Sequence, residues 1–499
     1  MRRRDVLAAG ASTAALSLLP KRAFASWGDA PETATDLLLG PGTRAERCLE
    51  VYLYGGIPTY HSFYAVPEYG TPNDPDPALQ NTQYYQFATD KASVWGGDCG
   101  KGSNPAGWLT PFATDALGKT VNFTPMVAAL LARPDVLART RVLVTRHDFG
   151  PHEVAIPYML TGSRLGSPRM AGLGAHVQRY WHDRDTSGRL VPFSYVFSPE
   201  GDTLTSAASV VGQHPGSARP LHIQVSTDTD VGTLVGRKYL GNATGKVDAL
   251  LDHYAKSSDA RYADLTGARL RSRGVDDHQF AIASLINAPN LQSVLTPELF
   301  VPSSSLTCGF NNVSDVSAMT IDAAVSLLTH PSTPAKYVNV VEGGNTAFGS
   351  LSYDLHTTLV DTGTKNLQHV LQRLCDQINE PGEGDPAKLD IEDTLVVITA
   401  DFGRAPVPQG GGNGSDHFPF GFVSILIGGP VQQGVTGALG KDGYAAEWVQ
   451  SSEIRAAALA ALGIYPFTAQ SFAVGDITGA ETEADGLAWL NEYVLGRAP

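Results

Sequence analysis

The sequence predicts an α/β protein: a doubly wound, mostly parallel sheet with helices on both faces and a helical insertion. Two observations carry this. Short runs of Val, Ile and Leu with few polar interruptions recur along the chain, as in strands buried on both faces. Between them lie stretches with apolar residues at helical spacing, the alternation that crossover connections produce.

The first run is Leu49-Glu50-Val51-Tyr52-Leu53-Tyr54, ending in Gly55-Gly56. Residues 65–121, rich in Gly, Pro, Asn and aromatic residues, read as a long surface loop. Residues 124–139 read as one helix before a strand at 141–145, and a helix over 171–182 precedes a strand at 193–197. Further strands are expected at 222–225, 337–341, 394–399 and 422–427. Residues 228–320, mostly helical and polar, read as an insertion into a single domain over 26–499. Four cysteines are too few for a disulfide framework. Cys48 and Cys375 read as buried thiols, whereas Cys99 and Cys308 lie in Gly-rich loops where pairing stays open.

The chain opens with Arg2-Arg3-Arg4-Asp5-Val6-Leu7, followed by a small apolar stretch from Ala8 to Leu19. That stretch is too short for a membrane-spanning helix, which needs roughly 20 residues. Ala23-Phe24-Ala25 supplies a small-x-small cleavage site. The paired arginines before Val6-Leu7 resemble a twin-arginine signal, with an ordinary secretory signal as the alternative. Residues 1–25 are therefore expected to be removed, leaving a periplasmic or secreted chain that met the twin-arginine translocase on its way out. No later stretch has the length and apolarity of a membrane span. The net charge of −14 becomes more negative once those residues are gone, which argues against binding nucleic acid.

Ligands in open α/β sheets gather at the carboxyl ends of strands. His and Asp are concentrated at such points here. His61 follows the first strand; His147, Asp148, His152 and Glu153 follow the second. Asp354 and His356 follow the strand at 337–341, Asp401 follows 394–399, and Asp416-His417 precedes 422–427. Carboxylate and imidazole with little thiolate suit a divalent ion such as zinc, manganese, magnesium or calcium. Asp354, His356, Asp401, His417 and His61 are the candidate ligands. Each alone could equally be a hydrogen-bonded loop residue. Arg404 and Arg146 could hold an anionic group, although a surface ion pair explains Arg146 better. The aromatic residues of 52–109 could line a glycan groove or simply pack the loop.

The run Thr394 to Gly403, a strand ending in Asp401-Phe402-Gly403, resembles the strand-plus-Asp-His-Gly element of the alkaline phosphatase superfamily, sulfatases included. Gly55-Gly56, His152-Glu153 running into Leu160-Thr161-Gly162, Asp354-Leu355-His356, Asp401-Phe402-Gly403-Arg404 and Asp416-His417-Phe418 occur in that order. The series, with Ser452 to Ile464 as a closing helix, is similar to an exported bacterial branch known as domain of unknown function 1501. The resemblance implies an alkaline-phosphatase-like fold and a metal-dependent hydrolase of a phosphate or sulfate ester. Departures matter. Phe402 stands where the superfamily has a second-metal histidine, so one ion is expected rather than two. His152 stands at the position of the hydroxyl or thiol nucleophile, and His61 at that of an Asp. His152 would then be the nucleophile or base, with Arg404 beside it at the reacting centre and a small anionic ester or glycan as substrate. The alternative is a non-catalytic exported binding or assembly protein. A secreted peptidase lacks a recognisable pattern.

Overall fold

The computed structural model describes residues 26–80, 82, 109–185, 191–199, 214, 220–225, 244–263, 291, 293–302, 304–305, 313–343, 353–354, 356, 359–407, 415–468 and 470–497. Its centre is an eight-stranded sheet. The strands are β1 (Arg47–Leu53), β2 (Thr140–Thr145), β3 (Ser194–Pro199), β4 (Leu221–Val225), β5 (Tyr337–Glu342), β6 (Thr394–Ala400), β7 (Phe422–Ile427) and β8 (Gly434–Thr436). Their spatial order is β8-β2-β7-β6-β1-β5-β3-β4. Every pairing is parallel except the two made by β7, which runs against both neighbours. The α/β class and mostly parallel sheet read from the sequence are thus the observed ones.

The longer helices are α1 (His152–Thr161), α2 (Leu173–His182), α3 (Thr244–Ala263), α4 (Val316–Leu328), α5 (Leu359–Asp376) and α6 (Ser451–Ala461). α4 and α5 pack with Leu49, Val51, Val396 and Ile398 on one face of the sheet. α2 and α6 pack with Cys48, Val397 and Leu426 on the other. The strand residues alternate between these two cores because successive side chains point to opposite faces. α1 lies against α6 and β6. It ends at Gly162, whose φ of +69° and whose closeness to α6 (an added Cβ would lie 2.7 Å from Ser452 Cα) both exclude a side chain.

Several expectations need correction. Residues 124–139 do not form one helix: the turns Ala128–Leu131 and Pro134–Leu137 are separated at Arg133. The ring of Pro134 forbids the residue before it from continuing a helix. The short β8 has no signal in the sequence, because three residues beginning with Gly carry no apolar run. α4 begins inside the region read as an insertion, yet it packs on β5 and β1 and belongs to the central layers. Of the rest of that region, Thr244–Ala263 is helical as expected. Cys48 and Cys375 are free and buried. Residues 1–25, Cys99, Cys308 and the aromatic side chains of 84–108 lie outside the described residues. Tyr52, Tyr54, Tyr60, Phe63 and Tyr64 are buried, so they pack the interior. Among the described residues no helix is long and apolar enough to cross a membrane.

The start of the described chain is anchored by a buried histidine pair. Trp27 stacks on His176 and meets the edge of His214. His176 Nδ1 and His214 Nε2 are 2.7 Å apart, and Arg179 Nη1 is 3.1 Å from His214 Nδ1. Burial first, then the Arg179 charge, push His214 down to about 4. Burial and the neighbouring charges of His214 and Arg179 hold His176 well below the ordinary histidine value. Both rings are therefore neutral in the fold and must gain a proton on unfolding in acid. Their folded pKa values lie below the unfolded one, so the contribution is complete above pH 6.5 and shrinks as pH falls from there towards 4. For His214 alone this amounts to about 3 kcal/mol. Urea unfolding across pH 7.5 to 4 should show this decline, and His214→Gln should flatten it. An unchanged slope in the variant removes His214 as the cause.

Candidate metal centre

The reversal of β7 decides where the site lies. In an all-parallel sheet the loop before β7 would reach the amino edge, away from the other candidates. Because β7 runs backwards, residues 415–421 arrive at the carboxyl edge of β1 and β6. There the short strand His417–Phe418 pairs with Gly403–Arg404. Asp401 follows β6, His152 opens α1 after β2, and Asp354 and His356 follow β5.

Asp354 is the hub. Its Oδ1 accepts from Arg404 Nη2 at 2.5 Å and lies 2.9 Å from His417 Nε2 and 3.2 Å from His356 Nε2. Its Oδ2 lies 3.3 Å from His152 Nε2. The two exposed-side imidazoles also meet, His356 Nε2 being 3.2 Å from His417 Nε2. One donor atom from each of His152, Asp354 and His417 lies within 4.8 Å of the other two. Burial by itself would raise the Asp354 carboxyl. The hydrogen bonds from His152 and His417 and the Arg404 charge outweigh it and hold the group well below the carboxylate range.

A second layer orients these side chains. His152 Nδ1–H donates to Asp401 Oδ2 in a short hydrogen bond, and Asp401 Oδ1 accepts from the Gly55 amide at 3.1 Å. Asp401 is fully buried and spends both oxygens this way, so it reaches the centre through His152 rather than as a direct ligand. His147 Nε2–H donates 2.6 Å to the Asp401 carbonyl, pinning its backbone. His417 Nδ1–H donates to the Gly150 carbonyl at 3.1 Å. Phe402 stacks on His417 at 4.3 Å between centroids and lies 4.8 Å from the His152 ring, walling off one side.

Gly55 cannot be replaced. Its φ is +106°, and an added Cβ would sit 2.3 Å from the Asp354 backbone nitrogen. The close approach lets the strand-end amide reach Asp401 while Asp354 lies alongside.

Arg404 departs from its expected role. It is fully buried: Nη2 donates to the carbonyls of Gly55 and Tyr353 and to Asp354, and Nη1 donates to Ser415 O at 3.2 Å. Wholly buried and tied to four protein acceptors, the guanidinium holds Asp354 ionised and in place, although its Nε–H has no partner among the described residues. Arg146 lies over the Trp448 ring and 3.8 Å from Asp148, the surface ion pair preferred from the sequence. His61 is fully buried on the turn Thr59–His61, and the donors round Asp354 converge without it. Its place beside a Gly-Gly strand end gave no sign of that burial. Gly150, Tyr353 and Ser415 were missed because they act through backbone carbonyls, which no side-chain pattern reveals.

The donor set fits a divalent cation. Around a tetrahedral ion with ligands at about 2.0–2.1 Å, neighbouring donors lie about 3.3 Å apart, close to the separations between the Asp354 oxygens and the imidazole nitrogens. His417 gives its Nδ1–H to Gly150, so in its neutral form its Nε2 lone pair faces the Asp354 carboxylate. Lone pair against carboxylate at 2.9 Å is relieved either by a proton on Nε2, which makes the hydrogen bond to Asp354, or by a cation held between the two. A histidine whose second nitrogen donates to a carboxylate, as His152 does to Asp401, is the usual arrangement of a metal-held imidazole.

Residues 335–476 match the family described as "Protein of unknown function (DUF1501)". The matched segment holds Asp354, His356, Asp401, Arg404 and His417 but stops well short of His152. No curated protein and no solved structure matches the chain.

Without a metal, the gap between the two carboxylates is filled by a proton. Burial would lower His152, but its hydrogen bonds to Asp354 and Asp401 and their charges raise it to about 9. The folded value lies above the unfolded 6.5, so this contribution is full below pH 6.5 and is lost as pH rises through 9. An NMR titration of the metal-free protein should find the His152 imidazole titrating near 9. Asp401→Asn should bring it down by a unit or more; no shift would remove Asp401 as its partner. Gly55→Ala should cost several kcal/mol in urea unfolding, because overpacking of a rigid backbone contact carries about 1–3 kcal/mol and the positive φ adds further strain. Wild-type stability in that variant would show that Asp354 is not held against Gly55.

Proposed function

We propose that the chain is an exported protein that binds a divalent metal ion at the carboxyl edge of its sheet and hydrolyses a phosphate or sulfate ester there. The observation that carries this reading is the convergence of the Nε2 atoms of His152, His356 and His417 on the single carboxylate of Asp354. The ordered motif series supports an alkaline-phosphatase-like fold, and the N-terminal residues support export through the twin-arginine route. Ligands drawn from positions as distant as 152 and 417 come together only in the folded chain, which suits a route that carries folded proteins.

His152, Asp354 and His417 would hold the ion, with His356 at the open side. Three imidazoles and a carboxylate favour zinc or manganese over magnesium or calcium. A divalent ion there would polarise an ester oxygen and acidify a water. The chain's own residues prepare the rest. Asp401 fixes the ring of His152 and turns its Nε2 inward, so His152 suits the ligand role better than that of a nucleophile. Arg404 keeps Asp354 anionic, and Phe402 keeps bulk water from one flank. His356, whose side chain is 38% exposed, stands where a leaving group could take a proton.

One observation favours a second reading, a metal-binding protein without turnover. Phe402 fills the flank where a second ion's ligand would stand, and position 152 offers imidazole in place of a hydroxyl.

Elemental analysis by plasma mass spectrometry should find about one divalent ion per folded chain. Asp354→Asn and His417→Ala should each lose it. Aryl phosphate and aryl sulfate turnover, sensitive to the same substitutions, supports the hydrolase; stoichiometric metal with no turnover supports the binding protein. A wild-type chain that stays metal-free after dialysis against zinc and manganese ends both readings.

A further inference from the structure

Beneath the site, on the face covered by α6, a buried ion pair joins elements that carry its residues. Arg455 and Glu50 have side chains 1% and 0% exposed, and Arg455 Nη1 donates to Glu50 Oε1 at 2.5 Å. The other Glu50 oxygen accepts from the Tyr337 hydroxyl of β5. The same guanidinium has two more tasks. Its Nε donates 2.7 Å to the Met159 carbonyl at the end of α1, and its Nη2 donates 3.3 Å to Thr399 Oγ1 on β6. Ser451, one turn earlier on α6, also donates to the Met159 carbonyl at 3.1 Å.

The geometry of these ties is suggestive. His152 lies seven residues before Met159, about two turns away along the same side of α1. Asp401 lies two residues beyond Thr399. Arg455 therefore fixes, through one planar fork, both the helix that carries His152 and the strand that carries Asp401. A fully buried pair is a poor source of net stability, because desolvation offsets its attraction, so its value must lie elsewhere. We infer that Arg455 and Glu50 are positioning residues that set the contact between His152 and Asp401, and through it the affinity of the metal centre. The metal part of this inference rests on the metal reading above; the imidazole part does not.

The test uses the double substitution Glu50→Gln with Arg455→Met, which removes both charges at similar volume and avoids stranding one of them. Leu371→Val, a fully buried change on the opposite face, serves as a control for stability loss. Two readouts are taken on each chain. Titration with cobalt(II) alone, followed by visible absorption, gives affinity and coordination geometry. In the metal-free protein, the far-downfield proton resonance of His152 Nδ1–H reports the bond to Asp401. The expected result for the double variant is cobalt binding about tenfold weaker with an altered spectrum, and a shifted or lost resonance. The control should keep both signals. Wild-type affinity, spectrum and resonance in the double variant would overturn the inference. A wild-type chain that takes up no cobalt defeats the metal reading, and the proton resonance then decides this one alone. Should the double variant not fold, Thr399→Val cuts only the tie to β6 and is read the same way, with a smaller shift.

Discussion

Two carboxylates, Asp354 and Asp401, stand off solvent on either side of one imidazole, with a single guanidinium to balance them. Asp401 is fully buried, and the Asp354 side chain is 12% exposed. Buried charge is tolerated only when it is paired and hydrogen-bonded. Arg404 balances one carboxylate and the neighbouring amide and imidazole groups supply hydrogen bonds, but one negative charge is left over. The site therefore needs a further positive centre, and the arrangement of the edge follows from that need. His152 can supply it with a second proton, since its two nitrogens face one carboxylate each. A divalent ion can supply it instead, at the cost of that proton. A proton and a divalent ion would thus compete for the same place.

The fold is organised to keep that imbalance in place. Gly55 lets β1 end close enough for its amide to reach Asp401 and for Asp354 to lie alongside. The antiparallel β7 returns His417 to the edge where the other groups end. Its pairing with Arg404 joins the third imidazole to the guanidinium that fixes Asp354. Phe402 stacks on His417 and lies tilted against His152. Its apolar ring lowers the local dielectric and strengthens the interactions around it.

What was legible in the sequence follows from the range of the interactions involved. Seven of the eight strands could be read because burial on both faces leaves an unbroken apolar run, which is local information. β8 has no such run. The break at Pro134 was local too, and a strict reading of the proline would have found it. The candidates Asp354, His356, Asp401, His417 and His152 were legible because strand ends are. Their division into donors and supports was not, since it depends on which oxygen of Asp401 faces Gly55 and on where His417 Nδ1 finds Gly150. Arg404 was the clearest miss. Arginine after a strand-end Asp looks like an anion clamp, and only the carbonyls of Gly55, Tyr353 and Ser415, brought from three separate segments, reveal a structural counter-charge.

The same need explains how Phe402 and His152 fit together. Phe402 brings an apolar ring to the flank of His152 and His417. Asp401 is fully buried and has to be hydrogen-bonded. Placing imidazole at position 152 answers this, because its Nδ1–H satisfies Asp401 while its Nε2 turns to the remaining centre. Without that imidazole Asp401 would keep only the Gly55 amide. The edge is thus internally consistent, with one imidazole held between two carboxylates.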